Sequence, residues 1–314
     1  MKLGITVTDF SWPRPATEIG PTIERIARTA DEAGLDSIWT MDHFFQIGLT
    51  GLPPESPMPE AYATLAFIAG HTRRIRLGTL VTSVPYRHPG VLVKTVTTLD
   101  VLSGGRMTFG VGAGAPFDVE PDSERYRNSE VGRLGIPFGR LRDRFEQLEE
   151  VLQIAHQMWS GDERPFDGRH YQLARPLNSP NSLQRPHPPI LIGGSGERRT
   201  LRLVARYADA CNLFDIPGTP YRDNLPHKLE ALRRHCQDAG RDYAEIEKTT
   251  ATLFDLSEGG DSGRRLLEHI ATLAEVGIDH VIVSPPKPWD ETGLDALTGI
   301  VAEAHGIAPA VSAA

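Results

Sequence analysis

The stretch Pro189-Ile-Leu-Ile-Gly-Gly-Ser-Gly196 is a short apolar segment that runs directly into a glycine-rich turn. A second segment of this kind is His280-Val-Ile-Val283. Strands without polar alternation are typical of parallel sheets, because helices cover both faces of such a sheet. The two segments therefore predict an α/β protein with buried parallel strands.

Outward from these segments, the chain repeats a strand followed by a helix. In the first repeat, a predicted strand precedes a stretch with apolar residues at helical spacing, which ends at Gly34, a typical helix stop. Eight strands are predicted, over 3–8, 37–42, 76–82, 107–112, 189–193, 210–214, 248–256 and 280–284. Helices are predicted over 21–34, 60–70, 90–102, 139–159 and 221–239, from 197, from 262 and after 284.

Eight right-handed β-α units close into a (β/α)8 TIM barrel. The competing fold, an open doubly wound sheet, often shows G-x-G-x-x-G after its first strand. Here Asp9-Phe10-Ser11-Trp12-Pro13 holds no glycine, and Gly110-Val-Gly112-Ala-Gly114 lies in the fourth strand without the required spacing. We therefore predict one barrel domain over 1–305, with an insertion after strand four over about 115–188 and a frayed tail over 306–314.

The composition narrows the class of partner. The chain has 314 residues, with 33 Lys and Arg against 41 Asp and Glu and a net charge of −8, which disfavours binding of nucleic acid or anionic membranes through bulk charge. No apolar run is long enough to cross a bilayer, the start lacks a signal-peptide pattern, and Cys211 and Cys236 form no disulfide framework. We expect a cytoplasmic protein with a small-molecule partner.

In a barrel of this kind the chemistry lies where each strand ends in its loop, and this rim is rich in glycines and aromatic residues. Gly112 and Gly114 follow strand four, and Phe10, Trp12, Phe44 and Phe45 follow strands one and two. Glycines let a flat ring approach the backbone, and aromatic side chains pack on rings. The alternative interpretation is that the glycines are ordinary turn residues and the aromatic residues are hydrophobic plugs.

The turn from Gly193 to Glu197 carries the sharper local signal. Consecutive backbone N–H groups before a helix form an anion cradle, to which Ser195 adds a hydroxyl, so a phosphate is the predicted guest. The alternative is a tight β-α turn in which Glu197 complements the helix dipole. A second, weaker candidate is the stretch 258–265, where barrels often hold phosphate.

Asp42 and His43 form a titratable pair at the end of strand two. Such a pair can orient a ligand or move a proton, although a histidine at this place is also compatible with a structural role. The histidines show no metal-ligand spacing, and no G-x-S-x-G motif occurs. We therefore expect neither a metal site nor a serine hydrolase.

Together these pieces resemble the luciferase-like monooxygenase superfamily, and within it the branch that uses the deazaflavin coenzyme F-420. The resemblance implies a barrel with an insertion after strand four and a flavin or deazaflavin across its C-terminal mouth. The similar stretches are 35–44, 76–82 with Tyr86-Arg-His-Pro89, 102–112, 144–150 and 189–197 running to 209.

The resemblance also assigns site residues. Asp42 and His43 match the pair beside the ring, which in some members donates or takes a proton. The strand-three bulge of the family holds a non-prolyl cis peptide behind the ring, and it matches the bond between Leu80 and Val81. The cofactor-binding residues implied are Leu80, Val81, Thr82, Gly112, Ala113, Gly114, Gly193, Gly194, Ser195, Gly196 and Glu197.

The chain departs from the sugar-phosphate dehydrogenases of this branch. Their carboxylates near strands one and four and their tryptophan after the histidine are replaced here by Phe10, Ala115 and Ile47, so sugar-phosphate activity is not expected. An apolar or aromatic substrate is predicted instead, in a pocket formed by Trp12, Phe44, Phe45, Phe117 and Tyr126.

The leading hypothesis is an oxidoreductase that transfers a hydride between F-420 and a small organic substrate, with His43 as the proton partner. The alternative within enzymes is an FMN-dependent monooxygenase, and the alternative of another class is a non-catalytic flavin-binding protein. A homo-oligomer, in particular a dimer, is implied by the resemblance.

Overall fold

The computed structural model describes residues 1–12, 15–47, 50–114, 123–216, 219 and 222–310. Its centre is a closed barrel of parallel strands. The strands follow one another as β1, β2, β3 with β4, β5, β8, β9, β10 and β11, and β11 pairs again with β1. The predicted (β/α)8 TIM barrel is thereby confirmed.

The strands are short and the helices between them cover the barrel. The strands are β1 (Lys2–Val7), β2 (Ser37–Thr40), β3 (Arg76–Thr79), β4 (Thr82–Ser83), β5 (Met107–Gly112), β6 (Phe166–Asp167), β7 (Gln172–Leu173), β8 (Ile190–Gly193), β9 (Ala210–Phe214), β10 (Glu247–Leu253) and β11 (His280–Ser284). The helices are α1 (Ile19–Ala33), α2 (Ala61–His71), α3 (Pro89–Ser103), α4 (Glu124–Asn128), α5 (Glu130–Arg133), α6 (Leu141–Ser160), α7 (Thr200–Tyr207), α8 (Leu225–Ala239), α9 (Gly260–Glu275), α10 (Glu291–Thr298) and α11 (Val301–Gly306).

The buried apolar residues of the barrel form two layers, and a small separate cluster around Val131 and Phe138 lies in the insertion. The larger lies between the strands and the surrounding helices, and it explains why strands such as β5 and β11 are buried along their whole length. The smaller lies inside the barrel, where Trp39, Leu191, Ala210 and Ile282 pack together. Because a barrel interior of this size is filled by side chains, this inner cluster forms the floor below the C-terminal ends of the strands, which we call the mouth.

Several predicted boundaries shift by a few residues, and three of the differences have a clear structural reason. The third strand is split into β3 and β4, since Gly78 opposes Thr108 whereas Thr82 opposes Val111, which leaves one extra residue in a bulge. Helix α7 begins at Thr200 and not at 197, because Gly194 has a φ of 116° and the segment through Arg199 is a turn. Helix α8 begins at Leu225, where Asn224 caps it and a proline occupies its first turn.

The insertion and the tail also differ from the prediction in detail. Beyond the predicted long helix and hairpin, the insertion holds two short helices, α4 and α5. Within the predicted tail over 306–314, Gly306 ends α11, Ile307 packs on the core and the N–H of Ala310 donates to the carbonyl of Ala274 at 2.8 Å, while residues 311–314 lie outside the described residues. Among the described residues, no helix is long and apolar enough to cross a membrane, and a cytoplasmic location stays a prediction.

At the end of the barrel opposite the mouth, the first residues of several strands form a polar network around the buried side chains of Ser37 and His280. His280 contacts Ser37 Oγ through Nε2 at 2.9 Å and Glu247 through Nδ1 at 3.2 Å, and Lys2 lies 3.0 Å from the same carboxylate. Burial opposes ionisation of Glu247, but the bond to His280 and the charges of His280 and Lys2 outweigh it and lower the pKa of Glu247 to about 2. The ionised carboxylate therefore stabilises the closure of β1 on β10 and β11.

We expect Glu247→Gln to lower the free energy of unfolding at pH 7 by about 1–3 kcal/mol. A carboxyl whose pKa is depressed in the folded state contributes fully above its ordinary value of 4.5, and the contribution is lost as the pH falls towards 2. Urea unfolding between pH 7 and pH 3 measures the effect. Glu258→Gln, in an exposed pair with Arg265, is the matched control. An equal loss at both pH values would contradict this role.

Candidate active site

The back of the mouth is formed by the bulge between β3 and β4. The peptide bond between Leu80 and Val81 is cis, as the resemblance predicted, and both side chains pack on the inner cluster around Trp39. Thr82 follows at full burial, and its hydroxyl lies 2.7 Å from that of Tyr62 and 3.0 Å from that of Thr79. The bulge is therefore held from behind by hydrogen bonds and from below by apolar contacts.

Glycines in the neighbouring strands make room for this bulge. A Cβ at Gly110 would lie 1.8 Å from the carbonyl oxygen of Thr79, and one at Gly193 would lie 2.8 Å from a methyl of Val81. A Cβ at Gly112 would meet the other Val81 methyl at 3.0 Å. Gly112 and Gly193, at the ends of the fourth and fifth barrel strands, are thus required by packing against Val81, whether or not a ring lies above them.

The wall at the end of β5 joins the barrel to the insertion. Gly114 has a φ of 80°, and a Cβ there would lie 2.4 Å from Ser83 Oγ. The carbonyl of Ala113 accepts a 2.8 Å hydrogen bond from the fully buried guanidinium of Arg144 on α6. The helix α6 of the insertion therefore fixes the end of β5.

Asp42 and His43 lie in different environments, although they are neighbours in sequence. The carboxylate of Asp42 is fully buried and accepts both Nη groups of Arg87, one of them at 2.8 Å. Arg87 also lies 2.5 Å from Glu60 and packs over the rings of Tyr62 and Phe44. Both oxygens of Asp42 are thus engaged in an ion pair below the mouth.

His43 belongs to a second network, and its side chain is 30% exposed. Its Nδ1 lies 2.6 Å from Oε1 of Glu130, the first residue of α5. The other oxygen of Glu130 accepts the backbone N–H of Phe44 at 2.8 Å, and the hydroxyl of Tyr86 donates to Oε1. Within the described ranges, no group hydrogen-bonds to Nε2 of His43, which leaves this nitrogen for a ligand.

Glu130, Tyr86 and Arg87 were not among the predicted site residues. Tyr86 and Arg87 lie in a stretch that carried the family resemblance, so the sequence held a signal for them. For Glu130 the sequence held no signal except the capping residue Ser129 before it. The side chain of Ser129 accepts the N–H of Gly132 and so caps a helix of only four residues. A carboxylate brought in by so short a helix shows no periodicity by which to find it.

The predicted phosphate turn has unpaired backbone donors. Gly194 N–H donates to Asn212 at 3.1 Å, but in the part of the chain that the structure describes the N–H groups of Ser195, Gly196 and Glu197 have no acceptor. The carboxylate of Glu197 faces away to α8, where it contacts Lys228 at 2.7 Å and His227 at 3.3 Å. An anion at this turn would meet backbone donors without the repulsion of an unpaired carboxylate.

The predicted substrate-pocket residues are only partly gathered. Trp12 is buried against Phe10, with ring centroids 5.8 Å apart, whereas Phe44 and Phe45 are half-buried and Phe44 packs on Tyr86 at 5.3 Å. Tyr126 lies in the insertion and donates to the carbonyl of Ile136 at 3.2 Å. Phe117 lies outside the described residues.

Comparison with known proteins identifies the family of this site. A family model described as luciferase-like monooxygenase matches residues 1–259. The F-420-dependent glucose-6-phosphate dehydrogenase of Nakamurella multipartita is 29% identical over 260 residues, which cover 81% of this chain and 68% of that protein. The chain spans 54% to 68% of the lengths of five curated dehydrogenases of this kind.

Solved structures share the fold over nearly the whole chain. A monooxygenase from Streptomyces bottropensis has a TM-score of 0.76 at 20% identity, covering 97% of this chain and 100% of that one. The coenzyme F-420 dependent tetrahydromethanopterin reductase of Methanopyrus kandleri has a TM-score of 0.71 at 16% identity, covering 96% and 98%. These structures show the shared fold, and the family model over residues 1–259 confirms the predicted resemblance to the luciferase-like superfamily.

We expect Gly193→Ala to lower the free energy of unfolding by about 1–3 kcal/mol, because its Cβ overpacks against Val81. In a Val81→Ala background the same change should cost less by about 1 kcal/mol, since the opposing methyls are gone. Urea unfolding of the four proteins in this double-mutant cycle measures the coupling. Gly260→Ala, where a Cβ meets nothing within 4 Å, is the control. Purely additive losses would contradict the contact.

Proposed function

Because the chain belongs to the luciferase-like monooxygenase family, we propose that it is a deazaflavin-dependent oxidoreductase that transfers a hydride between coenzyme F-420 and a small organic substrate. The observation that carries the proposal is the turn at Ser195–Glu197, whose backbone donors have no acceptor among the described residues, on the same barrel end as His43. An anion cradle and a proton-transfer group at one mouth suit a phosphorylated redox cofactor.

The residues of the mouth fit such a group. The turn after β8 would hold its phosphate through the N–H groups of Ser195, Gly196 and Glu197, and the bulge at Leu80 and Val81 would support one face of its ring. A bound deazaflavin supplies a ring carbon that gives or accepts a hydride. The protein's own contribution is to exclude water with its apolar floor and to hold or move the substrate's proton at Nε2 of His43.

The relatives favour F-420 as the cofactor, since five curated matches are named as F-420-dependent dehydrogenases. We do not propose the sugar-phosphate substrate of these relatives for this chain. Phe10 is buried against Trp12 at the end of β1, and Phe44 and Phe45 line the start of the next loop. We therefore propose an apolar or aromatic substrate in place of a sugar phosphate.

Titration of the purified protein with F-420 and with FMN, followed by fluorescence, tests the cofactor. We expect binding of F-420 in the micromolar range and a loss of affinity of at least about tenfold in Gly194→Val, since valine cannot adopt the φ of 116° that aligns the cradle. Gly240→Val is the matched control, because Gly240 also has a positive φ, of 65°, but caps α8 and has no atom within 4 Å of its Cβ position.

The outcomes separate the three functions. Binding of FMN without binding of F-420 would overturn the proposal in favour of an FMN-dependent monooxygenase. F-420 binding without reduction by any alcohol, or reoxidation by any carbonyl compound, would favour a non-catalytic binding protein. Equal loss of affinity in both glycine variants would remove the phosphate turn from the site.

We further propose that the protein forms a homodimer through α2 and α3. A groove of about 720 Å³ runs between these helices, and its apolar rim includes Val91, Leu102 and Leu177 with exposures of 61%, 71% and 51%. Helix α2 is apolar around most of its circumference, which is typical of a helix covered on both sides. A second copy that presents the same face would cover it.

Sedimentation velocity tests the dimer. We expect the wild-type chain to sediment as a dimer and Leu102→Lys to sediment as a monomer, because the change would bury a charge in the apolar interface. Leu134→Lys, at a leucine 48% exposed in the insertion, should leave the dimer intact. A monomeric wild-type protein would overturn the proposal.

A further inference from the structure

We propose that Glu130, carried by the insertion, is a positioning residue that holds His43 with its proton on Nδ1 and so leaves Nε2 as the proton acceptor of the site. The inference rests on the proposed role of His43 and deepens it. Glu130 touches neither the substrate nor the cofactor in this proposal; it acts through the imidazole ring.

Three hydrogen-bond donors surround the carboxylate of Glu130. The carboxylate faces the N–H of Phe44 at 2.8 Å, the hydroxyl of Tyr86 and the Nδ1 of His43 at 2.6 Å. The backbone N–H can only donate. Since an ionised carboxylate can only accept, the short contact with His43 requires a proton on Nδ1.

The side chain of Glu130 is only 11% exposed, so the groups around it determine the charge of its carboxyl group. Burial opposes ionisation, but the hydrogen bonds from His43, Tyr86 and the Phe44 N–H outweigh it and lower the pKa of Glu130. Burial and the neighbouring carboxylate raise the pKa of Tyr86, so its hydroxyl keeps its proton and donates. Glu130 is therefore an acceptor at neutral pH.

The proton on Nδ1 of His43 determines the protonation of Nε2. In a neutral imidazole only one nitrogen carries a proton, so a proton fixed on Nδ1 leaves a lone pair on Nε2. No described residue hydrogen-bonds to that nitrogen. The lone pair is free to take a proton from a bound substrate.

This arrangement favours a carbinol as the substrate to be oxidised. With an oxidised deazaflavin bound, the C–H bond would break and its electron pair would leave as hydride to that cofactor, while the O–H bond would break and its electron pair would form the C=O bond. The hydroxyl proton goes to Nε2, which gives an imidazolium whose Nδ1–H still donates to Glu130. In the reverse direction the imidazolium returns the proton to the carbonyl oxygen.

The tautomer can be measured without the cofactor, by NMR of protein labelled with nitrogen-15 at histidine, with the His43 signals assigned from a His43→Gln variant. We expect Nδ1 to be protonated and Nε2 unprotonated in the neutral wild-type ring. In Glu130→Gln the amide oxygen must still accept the Phe44 N–H, so its NH2 group faces Nδ1 and the proton moves to Nε2.

Matched variants separate positioning from general damage. Glu124→Gln changes an exposed glutamate on α4 of the same insertion and should leave the tautomer unchanged. Tyr86→Phe removes one donor but keeps the carboxylate, so the proton should stay on Nδ1. If Glu130→Gln fails to fold, the wild-type tautomer still tests the proposal, because a neutral ring protonated on Nε2 would overturn it.

The kinetic readout is the turnover of an alcohol with F-420. Glu130→Gln should lower kcat by about 10- to 100-fold with the affinity for F-420 unchanged, because the change removes a correctly placed base and no cofactor contact. A wild-type ring protonated on Nε2, or an unchanged tautomer in folded Glu130→Gln, would overturn the proposal. Failure of F-420 to bind would overturn the proposed function alone, since the NMR result needs no cofactor.

Discussion

The mouth of the barrel depends on the close approach of the Leu80–Val81 bulge to β5 and β8. Only glycine fits at the contact positions of these strands, because a Cβ at Gly110 would overlap Thr79 and a Cβ at Gly193 would overlap Val81. With the bulge seated there, its side chains close the inner cluster around Trp39 and present an apolar platform at the strand ends. The remaining features of the site are arranged around this platform.

Two polar networks flank the platform. They are separate because successive side chains of an extended segment point in opposite directions. Asp42 points into the protein and binds Arg87, while the next residue, His43, turns to the rim and contacts Glu130. Burial opposes the charge of Arg87, but the hydrogen bonds and charges of Asp42 and Glu60 outweigh it and raise its pKa, whereas burial raises the pKa of Asp42. The inner network fixes the end of β2, and the outer one aims the histidine.

Patterns with a repeat could be read from the sequence, whereas contacts between distant segments could not. The barrel followed from eight apolar strands, and the turn at Gly193–Glu197 followed from glycines that come directly after one of them. The start of α7 was misplaced because a glycine-rich turn and a helix start look alike until φ of Gly194 is known. Glu130 lies 87 residues from His43, in a helix too short to show a period, so only the fold brings them together.

The insertion is therefore more than a cover over the mouth. Two of its contacts with the barrel lie at the mouth, from Arg144 to the carbonyl of Ala113 and from Glu130 to His43 and Phe44. The first tie fixes the wall beside the platform, and the second sets which nitrogen of the imidazole accepts a proton. Since both ties come from one segment, displacing it would disturb the shape of the pocket and the protonation of its base together. Barrel enzymes that differ mainly in such loops can in this way change substrate and proton chemistry at once, while the glycine-lined platform stays the same.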